Sequence, residues 1–239
     1  MENSQSNSPK KRKEATEATE SIGNVKATPK PKLFVAIDIE ASGYYSNEHY
    51  IIAFGAVMFL QRGDEIEEVD SFMGSMKPPT PAHHFEGACR TEFWENLDKN
   101  PGLLKKLVAW EAAAKTPAEI MDAFVAWLQR KDVGQYVWLS DNPEFDIGWI
   151  NTYLVTYCTD PAHRRPLNAL FGRYEPAIHT DVFMFGALGG WSWSPAVEAA
   201  KTYGFDKAPK GNHDPVADAR EIGLDFIRCA TAVNFFETF

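Results

Sequence analysis

The run Leu33-Phe34-Val35-Ala36-Ile37-Asp38-Ile39-Glu40 constrains the fold of this chain more than any other stretch. It is short, continuous and apolar, with no Gly or Pro, and so reads as a buried β-strand. It ends in two carboxylates with one residue between them. Side chains alternate along a strand, so Asp38 and Glu40 leave on the same face. Two acids side by side at the end of a buried strand repel each other and resist desolvation. A hydrated divalent cation removes that conflict, because hard cations such as magnesium favour carboxylate oxygen. Taken alone, so short a pattern describes equally a strand running out into solvent, and the rest of the chain has to decide.

At 239 residues the chain suits one large domain, or one domain plus a tail, and its 44% apolar content is enough for a core. The three cysteines, Cys89, Cys158 and Cys229, are widely spaced with no Cys-x-x-Cys. That argues for a reducing, intracellular setting and against a zinc site. No run of about 18 apolar residues offers a membrane span, and the first residues lack a signal-peptide core. Residues 1–32 hold seven Lys/Arg and four Glu, which leaves 17 basic and 29 acidic residues over the rest. Composition therefore does not support a broad basic patch for duplex nucleic acid, although metal ions can supply positive charge where phosphate binds.

Residues 1–31, rich in Ser, Glu, Lys, Thr and Pro, cannot bury enough apolar surface to offset ordering and read as a disordered tail. Within it, Pro9-Lys10-Lys11-Arg12-Lys13 resembles a nuclear import signal; the alternative is a solvated charge run or an electrostatic arm for nucleic acid. Residues 32–239 read as one folded domain. Tyr50 to Leu60 gives a second buried strand, Gly63-Asp64 a turn, and Ile66 to Met76 a third strand, which together make an antiparallel meander. Thr91-Glu92-Phe93-Trp94 opens a short helix that Asn100-Pro101-Gly102 closes. Thr116-Pro117-Ala118-Glu119 is a capping box ahead of the apolar positions Ile120, Phe124 and Trp127. Tyr136 to Leu139 is a fourth strand, followed by Ser140 to Asp146 and a helix striped by Ile150, Tyr153, Leu154 and Tyr157. Ala177 to Thr180 is a fifth strand with Asp181 at its end. Asp214 and Pro215 make an N-cap and first residue for the last helix, with His213 just outside it and Asp218 in its first turns.

Val35 to Glu40, Asp141-Asn142-Pro143-Glu144-Phe145-Asp146, and His213-Asp214-Pro215-Val216-Ala217-Asp218-Ala219 together resemble the three motifs of the DEDDh 3′–5′ exonucleases. That superfamily includes RNase T, oligoribonuclease and DnaQ-like proofreading subunits. The resemblance spans about residues 33–231. Thr91 to Trp94 and the Thr180-Asp181 strand end are most similar to the DexA-like exoribonuclease branch. The resemblance implies an α/β, ribonuclease-H-like three-layer fold: a mixed five-stranded sheet flanked by helices. It implies two divalent ions, Mg2+ or Mn2+, held by Asp38, Glu40, Asp146 and Asp218, with His213 as general base. The substrate would be the 3′ end of single-stranded DNA or RNA, released as 5′-mononucleotides. Members of the superfamily often form homodimers, though no heptad or exposed apolar stripe in this sequence demands one.

Two departures stand out. Ala41-Ser42-Gly43 follows Glu40 where relatives often carry Thr, and Asp141 adds an acid beside the second motif. Asp146 is the expected ligand, with Asp141 in reserve. Ala41, Ser42, Asn142 and Trp94 are the expected contacts to substrate. A single-strand enzyme needs stacking surfaces, for which Phe93, Trp94, Trp191 and Trp193 stand in loops or at element starts. Trp127, Trp138 and Trp149 lie in periodic apolar stretches and read as core. His83, His84 and His179 read as structural or solvated.

Overall fold

A computed structural model describes residues 31–44, 47–63, 65–129, 133–171, 176–188, 198, 201–202 and 213–237. The apolar run forms β1 (Lys32–Ala41), the centre of a five-stranded mixed sheet. It is flanked by β2 (Ile51–Arg62), antiparallel, and by β4 (Gln135–Ser140), parallel. The edges are β3 (Glu65–Ser75) and the two-residue β5 (Ile178–His179), giving the order β3-β2-β1-β4-β5. The antiparallel meander read from the sequence is therefore present.

The alternation along β1 sorts the two faces. Leu33, Val35, Ile37 and Ile39 are buried with Ile120, Met121 and Phe124 of α2 (Pro117–Gln129) and Ile150, Tyr153 and Leu154 of α3 (Asp146–Tyr157). Phe34 and Ala36 are buried on the other face with Val57, Phe59, and Ala219, Ile222 and Phe226 of the helix Pro215–Ala232. Helices thus cover both faces, and the architecture is the expected three-layer α/β. Asp38 and Glu40 continue the Phe34–Ala36 face into the space in front of the last helix.

The other helices are α1 (Leu103–Ala113), α4 (Leu167–Phe171) and α5 (Thr180–Ala187); the helix Pro215–Ala232 is α6. The capping box of α2 forms as read. The Thr116 amide and hydroxyl donate to Glu119 Oε2 at 2.9 and 2.7 Å, and the Glu119 amide returns a bond to Thr116 Oγ1 at 3.3 Å. One close approach fixes α6 against the sheet. Gly55 pairs with Asp38 across β1 and β2, and a Cβ there would lie 2.2–2.3 Å from backbone atoms of Pro215 and Val216. Only glycine lets the first turn of α6 sit on the strand beside Asp38.

Three local readings are corrected. Thr91 to Trp94 does not open a helix; it completes a π-helical turn, Cys89–Trp94. Asn100-Pro101-Gly102 does not close that element but leads into α1, with Gly102 in the left-handed region at φ 101°. Thr180 and Asp181 belong to α5 rather than to the fifth strand, because the Thr180 hydroxyl donates to the Ser140 carbonyl (3.2 Å) and the chain turns helical at once. The third strand stops at Ser75, and Met76 bridges to Lys115. The basic cluster Pro9 to Lys13 and nearly all of the expected tail, together with Asp64, Trp191 and Trp193, lie outside the described residues. Among the described residues no helix is long and apolar enough to cross a membrane.

Candidate active site

The first turns of α3 and α6 come from opposite faces of the sheet to the same end of β1. There the residues singled out from the sequence meet. Oxygens of Asp38, Glu40 and Asp218 lie within 4.8 Å of one another, and so do those of Asp38, Asp141 and Asp146. Asp38 belongs to both triads and stands between two potential cation positions. Asp141, held in reserve by the sequence reading, is part of the second triad together with Asp146.

Each acid is held by its own local chemistry. Asp146, 3% exposed, accepts the Ser140 hydroxyl at Oδ2, and Ser140 Oγ in turn accepts the Asn142 amide at 2.9 Å. The Asn142 carbonyl takes the amides of Phe145 and Asp146, both at 2.9 Å, and so starts α3. Asp214 Oδ1 accepts the Ala217 amide (3.2 Å) as N-cap of α6, and Asp218 Oδ2 accepts the Asp214 amide (3.0 Å). His213 precedes this cap in a left-handed conformation, φ 45°, which a non-glycine residue adopts only where its surroundings hold it. Its Nδ1 lies 3.5 Å from Glu40 Oε1, and its ring meets Phe93 edge-on at 4.8 Å between centroids.

The electrostatics report the cost of gathering these charges. Burial, then the charges of Asp146, Glu40, Asp218 and Asp141, holds the Asp38 carboxyl well above the usual carboxylate range. Burial pushes Asp146 up to about 8, against the opposing pull of the Ser140 hydroxyl. Glu40 and Asp218 are raised by burial too, with His213 and Lys106 of α1 pulling both back. His213 is raised chiefly by its bond to Glu40. Such a cluster asks for positive charge. Its ligand sets consist of carboxylate oxygens alone, without thiol or imidazole, which fits hard cations such as Mg2+ or Mn2+.

Beside the acids opens a cavity of about 490 Å³, which Glu40, Ala41, Tyr44, Glu86, Cys89, Phe93 and Phe145 help to line. Of the expected substrate contacts, Ala41 lines this cavity and Asn142 is exposed at the start of α3. Two others are corrected. Ser42 is fully buried: its hydroxyl donates to the His84 carbonyl (3.0 Å) and accepts the Tyr50 amide (2.9 Å). Its amide and carbonyl are bonded to Tyr50 and Glu86, so it shapes the loop and has no group left for a ligand. Trp94 reaches the cavity wall but is only 1% exposed, packed with Tyr50, Leu107 and Trp110, so neither ring face is open to a base. Phe93 is the ring turned toward the site. Trp127, Trp138 and Trp149 are core, as read. Ser140, Lys106, Tyr44, Phe145 and Glu86 were not singled out from the sequence. For Ser140 a signal existed in its place at the end of a strand, six residues before Asp146.

The class defined by this fold is that of the ribonuclease-H-like nucleases, a mixed sheet with helices on both faces. Several solved structures share it. Cell-death related nuclease 4 superposes with a TM-score of 0.53 at 16% identity, over 85% of this chain and 64% of that one. A full-length 3′-exonuclease gives 0.51 at 16% identity, over 86% and 83%. E. coli exonuclease I in complex with a dT13 oligonucleotide gives 0.53 at 15% identity, over 87% and 42%. The chain thus spans less than two thirds of the length of the first and third of these. No family model matches the sequence, and no curated protein matches it.

Proposed function

We propose that this chain is a DEDDh-type 3′–5′ exonuclease that hydrolyses the terminal phosphodiester of single-stranded DNA or RNA and releases 5′-mononucleotides. One observation carries the reading: two carboxylate triads share Asp38, and His213 stands on Glu40 at their edge. The fold shared with nucleases supports it, as does an aromatic-lined cavity opening at Glu40.

Asp38, Glu40 and Asp218 would hold one divalent ion, and Asp38 with Asp146, joined by Asp141, a second. When bound, such a pair activates a water and stabilises the leaving 3′ oxygen. The N-terminal turns of α3 and α6 point at the same place and favour the phosphate's negative charge. Glu40 receives His213 Nδ1, which fixes the ring and leaves Nε2 to take the proton of the attacking water. Phe93 braces that ring edge-on and offers the cavity an aromatic wall. Residues 1–31 lie apart from this chemistry and serve as a disordered tail.

The test separates proton transfer from metal binding. His213→Ala should keep manganese affinity and lose about 10²–10⁴ in kcat, the usual contribution of a general base. Asp218→Ala should lose manganese binding and activity together. Calorimetric titration with single-turnover rates measures both; if His213→Ala binds manganese as poorly as Asp218→Ala, His213 is a ligand and this mechanism is wrong.

A further inference from the structure

The cavity beside the acids carries side-chain chemistry of one sign. Its apolar walls are Ile39, Ala41, Ala88, Phe93 and Phe145, and at about 490 Å³ it is of a size that takes a small ligand. The carboxylates of Glu40, Glu86 and Glu92 all line it. Glu40 belongs to the acid cluster, and Glu92 is exposed at the rim. Glu86 differs from both. Its backbone is fixed at each side: its amide donates to the Ser42 carbonyl and its carbonyl accepts the Arg90 amide, both at 2.9 Å. Its Oε2 is buried with no hydrogen-bond partner. A buried, unpaired carboxylate oxygen is costly, and a ligand that brings an N–H donor relieves that cost.

We propose that Glu86 reads the terminal base, favouring 3′ ends in adenine, cytosine or guanine over uracil or thymine; this rests on the exonuclease reading above. With the scissile phosphate at the acid cluster, the terminal nucleoside occupies the cavity that begins at Glu40, its base against Phe93. Adenine, cytosine and guanine each carry an exocyclic amino group, a donor that a carboxylate accepts in a charge-assisted bond. Uracil and thymine place carbonyl oxygens in that position, which face the carboxylate as acceptor against acceptor. Glu86→Gln keeps the shape, and its amide can turn to present either an acceptor or a donor, so the discrimination disappears.

The experiment measures kcat/KM of the full chain with magnesium on single-stranded oligonucleotides that differ only in the 3′-terminal base. Wild type, Glu86→Gln and Glu92→Gln are compared, with matched melting curves to show that the variants fold. The expected result is a preference of roughly ten-fold for amino-bearing ends in wild type, a charge-assisted bond's worth. It should be kept in Glu92→Gln and fall to near one in Glu86→Gln. Equal rates on all four ends in wild type, an unchanged ratio in Glu86→Gln, or a collapse in Glu92→Gln alone each overturns the assignment. These outcomes all presuppose nucleotide release, so they are distinct from a wild-type protein that degrades no substrate, which sinks the exonuclease reading itself.

Discussion

Replacing Asp38 by Asn should stabilise the metal-free protein while destroying its response to metal. Asp38 has oxygens within 4.8 Å of carboxylates in both triads. Two unit charges at that separation repel by ~3–4 kcal/mol at an effective dielectric of ~20. The cluster already holds protons to lower that repulsion, so the net relief expected is about 1–3 kcal/mol. For a domain of this size it corresponds to a rise of about 2–12 °C in Tm. The sign follows from linkage. The folded-state pKa of Asp38 is raised, so the native state binds its proton more tightly than the unfolded chain does. Metal-free wild type therefore loses stability as pH rises from the ordinary carboxylate value, ~4, through the raised one, and the gap to Asp38→Asn opens over that window. Metal inverts the order: at concentrations ~100 times Kd it adds ~2.7 kcal/mol to the wild type and little to the variant. Scanning calorimetry with chelator and with manganese, at pH values of about 5 and 8, reads both effects. A variant less stable than wild type in chelator at the higher pH, or one that gains as much from manganese, refutes the shared-acid account.

Other expectations follow from single contacts. Gly55→Ala places a methyl against the backbone of Pro215 and Val216, so it should cost about 1–3 kcal/mol in denaturant unfolding and depress activity by displacing Asp218 and His213. Trp94→Leu should lower Tm, since Trp94 is buried in its cluster, whereas Phe93→Leu should leave Tm nearly unchanged and raise KM. Because Asp146 is pushed up to about 8, manganese uptake near neutrality should release protons and tighten as pH rises. Titrations in buffers of different ionisation heat would show this, and a buffer-independent heat would contradict it.

The centre of the fold was legible because its signals are local. The β1 run needs only alternation and burial to place Asp38 and Glu40 on one face, and the Thr116–Glu119 and Asp214–Ala217 caps are short-range bonds between neighbours. What stayed hidden depends on contacts distant in sequence. Ser42 looked available because its partner His84 is 42 residues away. Trp94 looked exposed because Trp110 and Tyr50, which bury it, belong to other elements. The two-residue β5 carries too few positions for a period, so the chain's turn into α5 at Thr180 could not be read. The left-handed Gly102 resembles a helix stop and a helix start equally in sequence, and only the packing of Leu103, Leu107 and Trp110 decides. The close approach at Gly55 is likewise invisible until α6 is laid on the sheet.

The central claim is that these five acids and His213 remove nucleotides from 3′ ends with the help of divalent ions. The most direct measurement is digestion of 5′-labelled single-stranded DNA and RNA, side by side, with magnesium, manganese or chelator. The account expects a ladder that shortens stepwise from the 3′ end, 5′-mononucleotides as product, and no cleavage in chelator or by Asp218→Ala. An intact substrate under every metal condition, shortening from the 5′ end, or cleavage that survives chelator would contradict it.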